Sequence, residues 1–374
     1  MEKNPVYLDY NASAPIRPDV ADLMRTLMAK PGNASSIHSF GREARHHVEG
    51  AREQIAKLAD THANYVTFTS GATEANNAVL KHFSGRRVLV SAIEHPSVLE
   101  SAPQAEKIPV TRDGVIDIEK LEELLSGEVP ALVSVMLVNN ETGVIQPVEE
   151  VARLARQRCP GVHIHTDAAQ AAGKIPFAFA ALGVDYLSLS AHKMSGPQGV
   201  GALLCAPGAE PVPFLHGGGQ EKRQRAGTEN VAGIAGFGLA ADIALNHLDS
   251  FAQLSRWRDD LEKTLREAAP EITIFGQDAA RVANTSKIGL PGIPANTQLM
   301  NLDIEGIAVS SGSACSSGTI KPSHVLQAMG APEHLCSHAL RISAGWATKE
   351  SDFKRLAEVW LKMYSRVANK IVRL

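Results

Sequence analysis

Four short segments of this 374-residue chain place reactive side chains directly after runs that read as β-strands. In Tyr186-Leu187-Ser188-Leu189-Ser190-Ala191-His192-Lys193 a lysine follows an apolar run, and Gly196-Pro197 turns the chain just beyond it. An amine at the carboxyl end of a strand can form a Schiff base with an aldehyde cofactor. Taken alone, it can equally be a solvated lysine. Asp167 closes a second run, His163-Ile164-His165-Thr166-Asp167. An acid there can hold a pyridinium nitrogen protonated, or simply cap the following helix. Thr69-Ser70-Gly71-Ala72-Thr73-Glu74 passes from strand to helix through small residues. Its N–H groups, hydroxyls and helix dipole suit a phosphate, although Thr73 also reads as an ordinary cap. His95, in Glu94-His95-Pro96, is placed to stack on a flat ring and shuttle protons, which most lone histidines do not do. Asp167 and Lys193 end successive strand-like units, and the pair says more than either residue.

The four cysteines are Cys159, Cys205, Cys315 and Cys336. None forms a CxxC pair, and the chain is far larger than a disulfide-stapled domain. Cys159 ends a helix-like stretch, Cys205 closes an apolar strand and Cys336 lies near a helix. Cys315 differs, because Ser310-Ser311-Gly312-Ser313-Ala314-Cys315-Ser316-Ser317-Gly318 gives it a loop of small polar residues. Such a loop grants a thiol access and mobility.

The elements that must position these groups alternate. Strands are expected at Tyr65–Thr69, Arg87–Ala92, Ala131–Val138, Val162–Thr166, Tyr186–Ser190 and Val200–Cys205. Helical patterns fall between them at Thr73–His82, Ile118–Leu125 and Val148–Arg158. This alternation predicts an α/β fold with a mainly parallel central sheet covered on both faces. Ligands collect beyond the carboxyl ends of such strands, where the reactive residues fall. Val231 to Ala269 reads as one long helix-rich stretch. After Pro270 come short strands, glycine-rich loops and a final amphipathic helix, Ser351 to Val372. The expected division is a large domain, 13–265, and a smaller α+β domain of 1–12 and 266–374 carrying the Cys315 loop.

Composition excludes several function classes. Hydrophobic residues make up 44% of the chain, enough for a substantial core. The formal net charge is -3, with acids and bases interspersed. No basic stripe points to nucleic acid, and no apolar run approaches the roughly 20 residues of a membrane span. The N-terminus has no apolar signal core. A soluble cytoplasmic protein is expected, with no metal site.

Further segments complete a pattern. They are Tyr7-Leu8-Asp9-Tyr10-Asn11, Asn33-Ala34-Ser35-Ser36-Ile37-His38, Val138-Asn139-Asn140-Glu141-Thr142-Gly143, Gly217-Gly218-Gly219-Gln220-Glu221, Arg225-Ala226-Gly227-Thr228 and Pro322-Ser323-His324-Val325-Leu326. With the four strand-end segments and the Cys315 loop, they run in family order over nearly the whole chain. The chain resembles the NifS/IscS-like cysteine desulfurases of the class V aminotransferases, which have the fold type I of pyridoxal-phosphate (PLP) enzymes.

That resemblance implies roles. Lys193 holds PLP and moves the substrate Cα proton, Asp167 pairs with the pyridine nitrogen, and His95 stacks on the ring. Gln170 and Asn140 lie near the phenolic oxygen, and Ala72, Thr73, Ser190 and His192 surround the phosphate. Thr228 reaches the partner's phosphate across a homodimer. Asn11, Asn140 and Arg341 take the substrate carboxylate, for which an arginine fork is better suited than a lysine. Cys315, as thiolate, takes sulfur from L-cysteine as a persulfide and leaves L-alanine.

Two positions depart from the family: Ala34 stands where proline is common, and Trp346 where many relatives have a second arginine. Relatives that feed an iron–sulfur scaffold dock it through a longer C-terminal extension. The acceptor therefore stays open between such a scaffold and a sulfurtransferase. The competing readings are a selenocysteine lyase or other β-lyase on the same fold, a kynureninase- or aminotransferase-like enzyme, and a non-enzymatic scaffold. Cys315 in its serine-rich loop favours desulfuration.

Overall fold

A computed structural model describes residues 5–312, 315–316 and 319–371, with only the backbone given for 315–316, 319–320 and 367–371. After β1 (Val6–Tyr7), a seven-stranded sheet forms from β2 (Val66–Thr69), β3 (Val88–Ser91), β4 (Glu106–Ile108), β5 (Leu132–Ser134), β6 (His163–Asp167), β7 (Tyr186–Ser190) and β8 (Gly201–Cys205). The order is β2-β8-β7-β6-β5-β3-β4. Only β8 runs antiparallel to its neighbours, β2 and β7; the other pairings are parallel. Every residue of β2, β3, β5 and β7 is buried, as in a sheet covered on both faces.

Three differences from expectation have local causes. The strand foreseen over 131–138 is regular only at Leu132–Ser134, because Val138 turns back to bridge Ile145 around Asn139–Gly143. Strand β4 was not foreseen. It is an edge strand whose exposed Glu106 and Lys107 hide the apolar signal. The helix-rich stretch breaks into α7 (Val231–Asn246), α8 (Leu248–Ala252) and α9 (Leu254–Ala268), with breaks at His247 and Gln253.

Helices α1 (Pro18–Met28), α2 (Ser39–Leu58) and α7 pack together beside the sheet. Helices α3 (Ala72–His82), α4 (Pro96–Leu99), α5 (Ile118–Leu125) and α6 (Val148–Arg158) follow the strands that feed them. Helix α5 starts where the Asp117 side chain accepts from Lys120 N. Helix α6 carries Glu149 and Glu150 in its first turn and Arg156 and Arg158 in its last, which suits the helix dipole. Among the described residues no single helix is long and apolar enough to cross a membrane.

The remaining chain forms small sheets. Strand β10 (Thr285–Gly289) pairs with β9 (Thr273–Ile274) and with β14 (Ala339–Ser343). Between them lie α10 (Ala295–Ile304), β11 (Ile307–Ala308), β12 (Cys315–Ser316), β13 (Thr319–Ile320), α11 (His324–Ala328) and α12 (Glu333–Cys336), and α13 (Glu350–Ile371) follows. Strand β1 pairs parallel with β11, and Asp9 bridges Ser343. A second apolar cluster joins Leu8 to Leu261, Leu302, Ile342 and Trp360. The first dozen residues are thus stitched to the last hundred, and this brings Asn11 to the carboxyl ends of the main sheet.

Candidate active site

A cavity of about 1140 Å³ opens beyond the carboxyl ends of β2, β3, β6 and β7. Asn11, Ala72, Thr73, His95, Asn140, Asp167, Gln170, Ser190, His192, Lys193 and Arg341 all line it. One described site residue does not. Thr228 is exposed and away from the cavity in the single chain. The Cys315 side chain lies outside the described residues, although Ser310, Gly312 and Lys321, which flank its loop, reach the cavity wall.

Each group is placed by its strand end. Beyond Ser190 a single 3-10 turn, Ala191–Met194, closes at Ser195 in the left-handed region, φ 67. That turn aims Lys193 inward, where Nζ donates to the carbonyls of Asn11 at 2.6 Å and Ala12 at 2.8 Å. No carboxylate pairs with it among the described residues. Burial, then the nearby Arg341 charge, pulls its pKa down to about 8, against a smaller upward pull from Asp167 and Asp9. The amine is therefore a usable nucleophile and base near neutrality.

Asp167 Oδ1 accepts from Ala169 N at 2.9 Å and Oδ2 from Asn76 Nδ2 at 2.7 Å. It caps the following turn and also lines the cavity. His95 caps α4, its Nδ1 accepting from Ser97 N at 3.1 Å. A ring nitrogen that accepts a backbone N–H carries no proton in the neutral ring, which places the proton on Nε2. Burial lowers the His95 pKa, with Asp167 opposing, so a neutral flat imidazole faces the cavity.

Helix α3 supplies an anion seat. Its N-terminus has no side-chain cap, and Gly71 precedes it with φ 155 and ψ 173. That conformation is essentially open only to glycine. Strand β8 can approach because Gly201 has no Cβ; one there would stand 2.6 Å from Gly71 Cα. Thr73, Ser190 and His192 surround this end. Burial and the Lys193 charge push His192 down to about 4, so it meets an anion as a neutral donor.

Arg341 Nη2 donates to Asp9 Oδ1 at 2.6 Å and Nη1 to Asn140 O at 3.2 Å. Its Nε is buried and has no partner. A guanidinium tethered on one side, with an unsatisfied buried donor beside a cavity, has the chemistry to receive a carboxylate. The uncapped helix end, a fixed acid, a flat neutral histidine and an available amine fit PLP.

Sequence reasoning missed several buried polar residues here. Lys174, on no strand end, donates to Asn11 Oδ1 at 2.7 Å and Gln170 Oε1 at 2.5 Å. It orients both amides: Gln170 Nε2 reaches Asn11 O at 2.9 Å, and Asn11 Nδ2 reaches Thr285 Oγ1 at 2.9 Å. Burial holds its pKa well below the usual lysine value. Glu94 is wholly buried, accepts from Met136 N at 2.5 Å and keeps Oε2 unpartnered. Burial pushes its pKa well up, leaving a neutral carboxyl. The signal that could have found Lys174 is a lysine inside an otherwise small and apolar stretch, Ala168 to Ile175.

The aminotransferase class-V family profile matches residues 6–356. The chain belongs to that family. Among similar proteins, "Cysteine desulfurase IscS" of Dictyoglomus turgidum is 39% identical over 372 residues, covering 96% of this chain and 94% of that protein. "Cysteine desulfurase" of Sinorhizobium fredii is 40% identical over 373 residues, 95% of each chain. A solved structure, the NifS-like protein from Rickettsia africae, is 35% identical with a TM-score of 0.90, covering 97% of this chain and all (100%) of its own. SspA in complex with cysteine is 30% identical with a TM-score of 0.78, covering 90% and 98%. The α/β class-V fold and its strand-end cavity are the setting for the lining residues named above.

Proposed function

We propose that this chain is a PLP-dependent cysteine desulfurase that converts L-cysteine to L-alanine and carries the sulfur on Cys315. One observation carries the reading: Lys193, Asp167, His95 and the part-unsatisfied Arg341 converge on one cavity, bordered by the flanks of the Cys315 loop. The names of similar proteins support it. PLP, when bound, supplies an electron sink for the carbanion formed at the substrate Cα.

The protein's own groups do the rest. Arg341, with Asn11 and Asn140, holds the substrate carboxylate. Lys193 Nζ removes the Cα proton and returns it during turnover. Asp167 keeps a positive charge on the ring nitrogen, His95 covers the ring face, and Gln170 addresses the phenolic oxygen. Ala72, Thr73, Ser190 and His192 hold the phosphate. The Cys315 thiolate attacks the substrate sulfur, and an S–S bond forms as the Cβ–S bond breaks. The electron pair of the broken bond stays on carbon, which is protonated to L-alanine. The persulfide then passes to an acceptor protein, an iron–sulfur scaffold or a sulfurtransferase.

The same reading makes the enzyme a cytoplasmic homodimer, with exposed Thr228 serving the partner's phosphate. It divides the chain into a PLP-binding unit, 13–265, and a smaller unit, 1–12 with 266–374.

The test is release of alanine and sulfide from L-cysteine with a reductant, in wild type, Cys315→Ala and Lys193→Ala. The expected result is one-for-one release by wild type and loss in both variants, with Cys315→Ala still yellow. Full cysteine activity in Cys315→Ala sinks sulfur transfer through that thiol and leaves a β-lyase.

A further inference from the structure

A second cavity, about 310 Å³, lies behind Lys193. Its walls include four cationic or basic side chains: Arg17, Lys174, Lys193 and His247. No aspartate or glutamate lines it among the described residues. Arg17 is partly buried at the start of α1 and stacks on Trp346, with its guanidinium carbon 4.8 Å from the ring centroid. No carboxylate forms an ion pair with Arg17 among the described residues. Burial lowers its pKa, with Asp19 and Tyr10 pulling the other way from a distance. Lys174 Nζ is committed to Asn11 and Gln170. His247 commits Nδ1 to the Ile243 carbonyl at 2.8 Å, which leaves Nε2 for the cavity.

The Arg17 guanidinium, with no counter-charge in the wall among the described residues, raises the local concentration of anions. The remaining wall selects among them. Met194, Phe251, Leu254 and Trp257 are apolar, which favours an anion with a hydrocarbon end over a fully hydrated inorganic one. An amino acid is disfavoured, because nothing acidic there receives its ammonium group.

We propose that this cavity is a binding site for a small organic monocarboxylate without an ammonium group, held by Arg17 over Trp346 and lying back to back with the candidate active site. A bound anion there sits beside the Lys174 amine that orients Asn11 and Gln170, so occupancy would alter how those amides are held. The site does not depend on the cysteine reading.

Two of the protein's three tryptophans, Trp257 and Trp346, line the cavity, so emission reports on it directly. The experiment titrates the purified holoenzyme with pyruvate, L-alanine and sulfate, following tryptophan fluorescence and cofactor absorbance together. It uses wild type, Arg17→Gln, Arg17→Lys and Arg341→Ala. The expected result is a saturable emission change with pyruvate, weakened at least tenfold in Arg17→Gln and partly recovered in Arg17→Lys. Arg341→Ala should leave it unchanged, and unaltered absorbance and melting temperature should show that Arg17→Gln folds. The proposal is overturned if Arg17→Gln binds pyruvate like wild type, if only Arg341→Ala loses the response, or if L-alanine or sulfate competes as well as pyruvate.

Discussion

Asn76 reaches across from α3 to donate to Asp167 Oδ2 at 2.7 Å, and the same Nδ2 donates to Ser97 Oγ at 2.9 Å. Ser97 Oγ in turn stands 2.8 Å from His95 Nδ1. One buried amide therefore ties the Asp167 carboxylate to the His95 ring. Neither side chain can rotate without breaking a hydrogen bond in the other's chain.

Asn76→Ala should therefore loosen both residues at once. Removing a buried donor from a charged acceptor costs roughly 1–3 kcal/mol. We expect PLP to bind about tenfold more weakly, and Asn76→Asp to be worse, since it sets a second carboxylate against Asp167. Absorbance titration of the apoprotein with PLP measures both. Wild-type affinity in Asn76→Ala would show that Asp167 is held without this amide.

Loading of the cofactor should report the lowered Lys193 basicity. Only the neutral amine attacks an aldehyde. Because burial brings its pKa to about 8, the loading rate should climb as pH rises toward 8 and level off above it. An ordinary lysine, with a pKa near 10.4, would keep accelerating about tenfold per unit through pH 9. Stopped-flow absorbance of apoprotein mixed with PLP between pH 6 and 9.5 decides between the two curves.

Lys287 and Glu141 form a fully buried pair at 2.7 Å. Lys287 also donates to Ser311 O at 2.5 Å, while Ser323 Oγ donates to Glu141 Oε2 at 2.8 Å. Lys287→Met alone should cost about 3–5 kcal/mol, because it strands a buried carboxylate. The double variant Lys287→Met with Glu141→Leu should recover most of that loss in urea denaturation. It should still lower the rate of persulfide formation on Cys315, because Ser311 and Ser323 flank that loop on either side. A double variant with wild-type persulfide kinetics would reduce the pair to a purely structural role.

The parts legible in sequence were those with a local signature. Lys193, Asp167 and His95 each follow a short β-branched or apolar run, so strand-end placement could be inferred before any contact was known. Ala72 and Thr73 were marked by the small-residue approach to α3. Nothing local marks Asn76, whose partner Asp167 lies 91 positions away, and the small apolar stretch around Lys174 says nothing of its partner Asn11, 163 positions away. The direction of β8 was equally hidden, since a strand's residue pattern reads the same for either orientation. The shortness of β5 was missed because Val135–Val138 stays apolar and buried while it turns toward Ile145.

The pairing of β1 with β11, and of Asp9 with Ser343, sets an order of events during synthesis. Asn11, whose carbonyl meets Lys193, is made long before Ser343, whose Oγ holds its backbone N–H at 3.0 Å. The first strand must wait through some three hundred residues of translation for its partner. The lysine pocket therefore closes only once Ser343 has been made, and cofactor capture cannot precede that point.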